Sequence, residues 1–329
     1  MTDKPIDIIR TSFGRAFRPA AVAEDICEVS RERLSGILER ITPEVTGRFS
    51  GCGSPIPEAI GGSRILDLGC GTGRDVFLCA ALAGPKGYVM GLDTEQAALA
   101  VARKAINTIM ENFGFIEPNV AFRQGSIDSL ADAGLYDEDF DVVISNRALG
   151  HVSDKLKVLR EVFRVLKSGG EFQFSDVYCD RRLPKEVESD EELKREELGG
   201  AVYLGDFLRL VRSAGFRDPR IVVSLPLEIT DTSLCEKLSG ATFRAVTFRL
   251  FRIRSLEEGE EDYGQAAIYK GTVEGFPNRF ALDEENLFET GKALRIGGNT
   301  ARILTESRFA PHFTLIGGQS RHFGAFTRG

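Results

Sequence analysis

The feature that most constrains this chain is a short apolar run that ends in an acid and a glycine-rich turn. It reads Arg64-Ile65-Leu66-Asp67-Leu68-Gly69-Cys70-Gly71-Thr72-Gly73-Arg74-Asp75. A strand, a tight loop and a helix produce this pattern. Gly69, Gly71 and Gly73 remove every Cβ from the turn, so a ligand can approach the backbone closely. A helix that begins near Thr72 points its unpaired N–H groups at that ligand. No Gly-Lys-Ser/Thr follows, which excludes the nucleoside triphosphate loop. A dinucleotide fingerprint fits only loosely, because the carboxylate of Asp67 repels a pyrophosphate and attracts an amino group.

A second acid extends the pattern. Tyr88-Val89-Met90-Gly91-Leu92-Asp93 reads as the next strand. Asp93 then lies roughly 20 residues beyond the loop, where a carboxylate binds both hydroxyls of a ribose. An ammonium and a ribose without phosphate describe S-adenosylmethionine. The expected cofactor-binding set is Asp67, Gly69, Cys70, Gly71, Thr72, Gly73, Arg74, Asp93 and Thr94. Gly125, Ser126, Ile127 and Asn146 join it from later strand ends.

The chain has 329 residues and a net charge of −7, with no long basic run. That balance argues against nucleic acid or an anionic membrane as partner. No apolar run approaches the roughly 20 residues of a membrane span, and Met1-Thr2-Asp3-Lys4-Pro5 starts no apolar signal core. The cytoplasm is the expected compartment. The six cysteines include no Cys-x-x-Cys pair, so neither a zinc knuckle nor a redox dithiol is expected, and no resident metal. Oligomeric state is not legible.

Taken in order, residues 1–60 read as a helical cap followed by a loop. Ala20 to Leu38 places an apolar stripe at helical spacing, suited to a lid or to a packing helix. Gly51-Cys52-Gly53-Ser54-Pro55 is a loop that suits either an exposed, reactive thiol or a buried small residue. Residues 61–256 alternate strands and helices, with Lys167-Ser168-Gly169-Gly170 read as a turn before strand Glu171–Val177, followed by helix Leu204–Ala214 and strands Arg220–Pro226 and Ala245–Ile253. Alternation means an α/β fold, a Rossmann-like, mostly parallel sheet with helices on both faces. Ligands bind outside the carboxyl ends of such strands, so Asp67, Asp93, Gly125–Asp128 and Asn146 should converge. The acidic run Glu257–Asp262 reads as a solvated hinge. Residues 263–329 read as a small, mainly β domain.

The chain resembles the arsenite S-adenosylmethionine methyltransferases, a class I family, over roughly residues 45–329. The glycine motif is shared widely in that class. More specific are Gly51-Cys52-Gly53-Ser54-Pro55, Ile144-Ser145-Asn146, Phe174-Ser175-Asp176-Val177-Tyr178, Leu198-Gly199-Gly200-Ala201-Val202-Tyr203, Thr247-Phe248-Arg249-Leu250-Phe251, Tyr269-Lys270-Gly271-Thr272 and Ser307-Arg308-Phe309-Ala310. The resemblance implies that Gly69 and Gly71 contact the methionine part of the cofactor and Asp93 its ribose. It places Ser126 and Ile127 beside the adenine, and Asn146 and Arg147 on the methyl-transfer face.

The departures from the family bear on the acceptor. Its members hold trivalent arsenic with three thiolates, soft ligands for a soft element. Cys52 matches the first position; Glu197 and Ala241 stand at the other two, and the family's N-terminal cysteine pair is missing. Arg147 and His151 also replace a cysteine and apolar residues. These changes lead to the expectation of a methyltransferase acting on a small polar acceptor bearing an amine, carboxylate or thiol, with Asn146, Arg147, His151, Glu197, Cys52 and Tyr203 around it. Two other readings stay open: an arsenite methyltransferase that uses Cys52 with Cys179 or Cys235, and a non-catalytic cofactor-binding regulator.

Overall fold

The computed structural model describes residues 17–19, 28–195, 198–229 and 231–327. Strands β2 (Arg64–Leu68), β3 (Tyr88–Asp93), β4 (Val120–Gln124), β5 (Phe140–Asn146) and β6 (Leu166–Cys179) form the parallel part of one sheet. The short strand β7 (Val202–Tyr203) pairs with the end of β6. Strand β8 (Arg220–Ile229) and strand β9 (Phe243–Phe251) continue the sheet in antiparallel fashion beyond β6. The order β8-β9-β6-β5-β2-β3-β4 reverses direction between β2 and β5. That is the switch point at which such sheets open a crevice.

The central strands are apolar on both faces because helices cover both, as a parallel sheet requires. Alternation sorts their side chains. Leu66, Leu68, Val143, Phe172 and Phe174 pack beneath helices α5 (Lys155–Val165) and α8 (Leu204–Ser213). Ile65, Val142 and Ile144 pack on the opposite face, beneath α1 (Glu28–Leu38), α3 (Arg74–Ala83) and α4 (Gln96–Phe113). Leu34 and Ile37 of α1 are part of that core, so the described portion of the expected lid is a packing helix; Ala20–Cys27 lie outside the described residues. No helix among the described residues is long and apolar enough to cross a membrane.

Beyond β9 comes a small β unit. Strand β10 (Gln265–Tyr269) lies between β13 (Ala293–Ile296) and β14 (Phe313–Ile316), all antiparallel, beside the hairpin of β11 (Arg279–Ala281) and β12 (Leu287–Glu289). A helix, α10 (Gly298–Glu306), which the sequence reading did not anticipate, completes it. A buried ionic seam fastens this unit to the sheet. Arg249 on β9 and Glu171 on β6, both fully buried, pair at 2.6 Å, and Arg249 also reaches Glu58 at 2.5 Å. Arg308 pairs with the same Glu171.

Three expectations need correction. Residues 1–50 are not free of strand: β1 (Phe17–Pro19) pairs with the edge strand β8, a main-chain contact that leaves no local pattern. The turn at Lys167–Gly170 is part of β6, where Gly169 at φ +77° accommodates the register shift opposite Phe140 and Val142. The acidic run is no solvated hinge. Glu260 pairs with Arg220 at 2.8 Å and Arg295 with Asp262, while His322 Nε2 lies 3.0 Å from Glu261, so side chains from elsewhere in the fold tie the run down.

Removing one partner of a buried ion pair leaves the other charge uncompensated, at a cost of roughly 3–5 kcal/mol. Arg249→Met should therefore lower unfolding stability by about that amount in urea titrations. A loss under about 1 kcal/mol would mean that Glu171 is held by Arg308 alone.

Candidate active site

The glycine turn leaves β2 and is tied at once to β3. The amides of Gly69 and Cys70 both donate to the carbonyl of Leu92, at 2.8 and 3.1 Å. Gly69 has φ +75°, and a Cβ there would lie 2.5 Å from the Cβ of Ala148. Gly71 differs: at φ +52° its Cβ position meets nothing within 4 Å, so its backbone faces open space. Its amide donates to Asp93 Oδ2 at 2.7 Å, while Asp93 Oδ1 accepts from the Glu95 amide. Gly73, at φ +89°, caps helix α3. The Thr72 hydroxyl donates to the carbonyl of Val45. Cys70 is buried, and burial followed by the charges of Asp67 and Asp93 pushes its thiol well up, so it is inert.

Three carboxylates surround this loop. Asp67 is buried under it; burial first, then Asp75, then Asp93, raise its carboxyl well above the usual range. Such a cradle has negative charge to spare and suits a cation. Thr94 is exposed beside Asp93. The amide of Gly125 donates to the Asp93 carbonyl at 2.9 Å, Ser126 is exposed with its hydroxyl on Asp128, and Ile127 presents a buried apolar wall. An open glycine backbone, a ribose-sized acid and an apolar wall fit S-adenosylmethionine.

Across the switch point lies the acceptor side. Asn146 ends β5, where its Oδ1 accepts from the Cys52 amide at 3.0 Å. Its Nδ2 donates to the Gly53 carbonyl and to Asp75 Oδ2, both at 3.0 Å. Asp75 also pairs with Arg74 at 2.9 Å, and the Arg74 guanidinium lies 3.8 Å from the centroid of the Phe49 ring. Of the two readings of Cys52, an exposed reactive thiol or a buried small residue, the structure has the second: Cys52 is 1% exposed, with its loop held by Asn146. A Cβ on Gly53 would strike Ser175, so only glycine lets the loop lie that close.

Cys52 shares an apolar cluster with Cys179, Leu198, Ala201, Ala241 and Phe243. Cys179 is buried at the end of β6, and burial pushes its thiol up. Cys235 is exposed, with its thiol directed at the Ile229 carbonyl at 3.5 Å. Among the described residues, the charged candidates Arg147 and His151 are not part of that cluster. Arg147, at φ +69°, is buried with its guanidinium 3.4 Å from the Ser50 hydroxyl. His151 is exposed at the end of the turn Leu149–His151. Tyr203 is half-buried on β7, its ring 5.7 Å from the Arg182 guanidinium. Glu197 lies outside the described residues.

Sequence reasoning missed Asp75, Phe49 and Asp176. Asp176 is buried, accepts from the amides of Gly150 and Val177, and is raised by that burial. Only Asp75 had a local signal, its place one residue beyond Arg74 in the glycine motif. Its partners at 49 and 146 come from elsewhere in the chain.

Comparisons with known proteins agree with this fold. Residues 61–215 match the family described as a methyltransferase domain, and residues 263–323 match the arsenite methyltransferase C-terminal domain. An arsenite methyltransferase of Aquipseudomonas alcaligenes is 48% identical over 293 residues, 89% of this chain and 84% of that protein. One from Mus musculus is 39% identical over 310 residues, 93% of this chain and 82% of that one. The crystal structure of an arsenic(III) S-adenosylmethionine methyltransferase from Chlamydomonas reinhardtii superposes with a TM-score of 0.87 at 44% identity. It covers 89% of this chain and 98% of that one.

Asp67 yields a stability prediction. Its carboxyl binds a proton more tightly folded than unfolded, so its charge costs stability above the unfolded carboxylate range, and the cost shrinks as pH falls through the raised folded pKa. Asp67→Asn should raise the Tm of the cofactor-free protein at neutral pH, by about 1–2 °C for each kcal/mol gained in a chain of 329 residues. The gain should fade in acid. A lowered Tm at neutral pH would show that the charge is compensated.

Proposed function

The chain belongs to the arsenite methyltransferase family, whose enzymes depend on S-adenosylmethionine, and from that premise we propose that it methylates trivalent arsenic held by Cys52 and Cys179. The observation that carries this reading is the burial of both thiols in one apolar cluster, beside Asn146 at the switch point. Soft sulfur binds a soft element, and an apolar wall keeps competing water away. Trivalent arsenic makes three bonds, so two thiolates leave one position for the oxygen it arrives with. Glu197 and Ala241 leave a three-thiolate site incomplete.

The small polar acceptor expected from the substituted positions has less support. Among the described residues, Arg147 is turned to Ser50 and His151 is exposed, and neither is part of the thiol cluster. Arsenic in this oxidation state also attacks through a lone pair, so no proton has to leave the attacking atom; the O–H proton of the remaining oxygen leaves to water after transfer. No general base is needed, which agrees with the exposed position of His151.

The bound cofactor supplies an electrophilic methyl group on a sulfonium. The protein's work is then positioning and exclusion of water. Asp93 holds the ribose, Gly69 and Gly71 admit the methionine part, and Asp67 faces its positive charge. Ser126 and Ile127 flank the adenine, with Gly125 and Thr94 beside them. Asn146 fixes the Cys52 amide and so the height of the thiol above the sheet.

Asp93→Ala removes a charge-assisted contact worth roughly 1.5–3 kcal/mol, so calorimetry should record about a ten- to hundredfold weaker cofactor affinity. Unchanged affinity would move the ribose elsewhere. On the acceptor side, arsenite titrated in thiol-free buffer should bind at one equivalent. Cys52→Ser and Cys179→Ser should each weaken it at least about tenfold, or roughly 1.4 kcal/mol, whereas Cys235→Ser should leave it unchanged. If the wild type takes up no arsenite, the organic acceptor returns as the better reading.

A further inference from the structure

The cofactor turn and the acceptor thiol are joined by a short chain of buried polar contacts that the proposed chemistry does not itself use. It starts in the first turn of α3, directly after Gly73. Asp75 Oδ1 takes the Arg74 guanidinium at 2.9 Å and Asp75 Oδ2 takes Asn146 Nδ2 at 3.0 Å. From Asn146 the chain continues to the Cys52 amide and the Gly53 carbonyl, each at 3.0 Å. A parallel arm runs from Arg74 to the Phe49 ring, on the same loop as Cys52. Arg74, Asp75, Asn146 and Cys52 are all at least nine-tenths buried. A Cβ on Gly51 would strike both Phe49 and Asn146, so the loop is seated against this chain without slack.

We propose that Asp75 is a positioning residue that couples occupancy of the cofactor crevice to the placement of the Cys52 thiol. The proposal rests on the reading of Cys52 as an arsenic ligand. Asp75 is one of the charges that act on Asp67 beneath the glycine turn, so it is among the groups a cationic ligand there attracts. A ligand that stabilises one position of Asp75 stabilises the same position of Asn146, because they share a hydrogen bond. Asn146 in turn fixes the Cys52 amide. Buried polar contacts of this kind are stiff and have few alternative partners, which lets them transmit a bias. Coupling is reciprocal: whatever tightens the thiol loop also tightens the cofactor. Occupancy of the crevice thereby biases the thiol loop toward its seated position.

The test reads the Cys52 thiol directly and does not require turnover or arsenic. The rate of N-ethylmaleimide alkylation at Cys52 is followed by peptide mass spectrometry, with and without saturating S-adenosylhomocysteine. Exposed Cys235 serves as the internal standard. In the wild type the ligand should slow alkylation of Cys52 on the order of tenfold, within the usual range of coupling between sites. Asp75→Asn keeps the shape but puts an amide donor against Arg74 or Asn146, so one contact must break. At ligand saturation, verified for each variant by calorimetry, the slowing in Asp75→Asn should fall below about twofold.

Full slowing in that variant would mean that the ligand merely shields the thiol, and would overturn the proposal; so would an absence of slowing in the wild type. If Asp75→Asn no longer binds the ligand, Asn146→Leu replaces it, with ligand saturation verified in the same way, because it cuts the path between Asp75 and the Cys52 amide. Its slowing should drop to less than about half that of the wild type, and full slowing there would overturn the proposal equally. Arsenite binding measured in parallel separates the two ideas. Its failure removes the acceptor assignment and leaves the alkylation ratio standing, whereas a lost ratio with arsenite still bound removes only the coupling.

Discussion

A carboxyl group buried beneath the glycine turn organises the carboxyl end of this sheet. Asp67 sits under the glycine turn with Asp75 and Asp93 close enough to oppose its ionisation. In water three acids at that spacing would cost little; in a low-dielectric crevice they create a strong preference for positive charge. The glycines complete the arrangement. Gly69 lets the turn press against Ala148, and Gly71 leaves the space above it open. Stability is given up here for affinity, a familiar pattern at ligand sites.

On the other side of the switch point the physics changes from charge to softness. Cys52 and Cys179 occupy an apolar cluster, fed by a loop and by the end of β6. The rigidity of that end has a distant source. β6 and β9 pair over nine residues, from Glu171–Phe251 to Cys179–Phe243. At the far end of this pairing Arg308 of the C-terminal unit pairs with Glu171 of β6, and Arg249 of β9 donates to the carbonyl of Leu282. That unit supplies no side chain to the crevice cluster, yet it holds the ladder that carries Cys179.

The local features were legible in the sequence. The glycine turn, Asp93 at its spacing and the strand–helix alternation are patterns within a few residues, and each is set by backbone sterics or burial period. What was not legible depends on contacts between distant segments. A glycine-flanked cysteine reads equally as exposed or buried because nothing nearby announces that Asn146 will hold its loop. Glu257–Asp262 reads as solvated because Arg220, Arg295 and His322 come from other parts of the fold. The missing thiols at Glu197 and Ala241 read as a change of substrate because Cys179, out of register with the family pattern, folds into the same cluster as Cys52.

The central claim is that two thiolates of this chain, Cys52 and Cys179, ligate the arsenic that is methylated. X-ray absorption at the arsenic edge, on the protein loaded with one equivalent of arsenite and S-adenosylhomocysteine in thiol-free buffer, measures that directly. The account predicts two sulfur neighbours and one oxygen, with one sulfur lost in Cys179→Ser and none lost in Cys235→Ser. An all-oxygen shell, or a shell unchanged by Cys179→Ser, would contradict it.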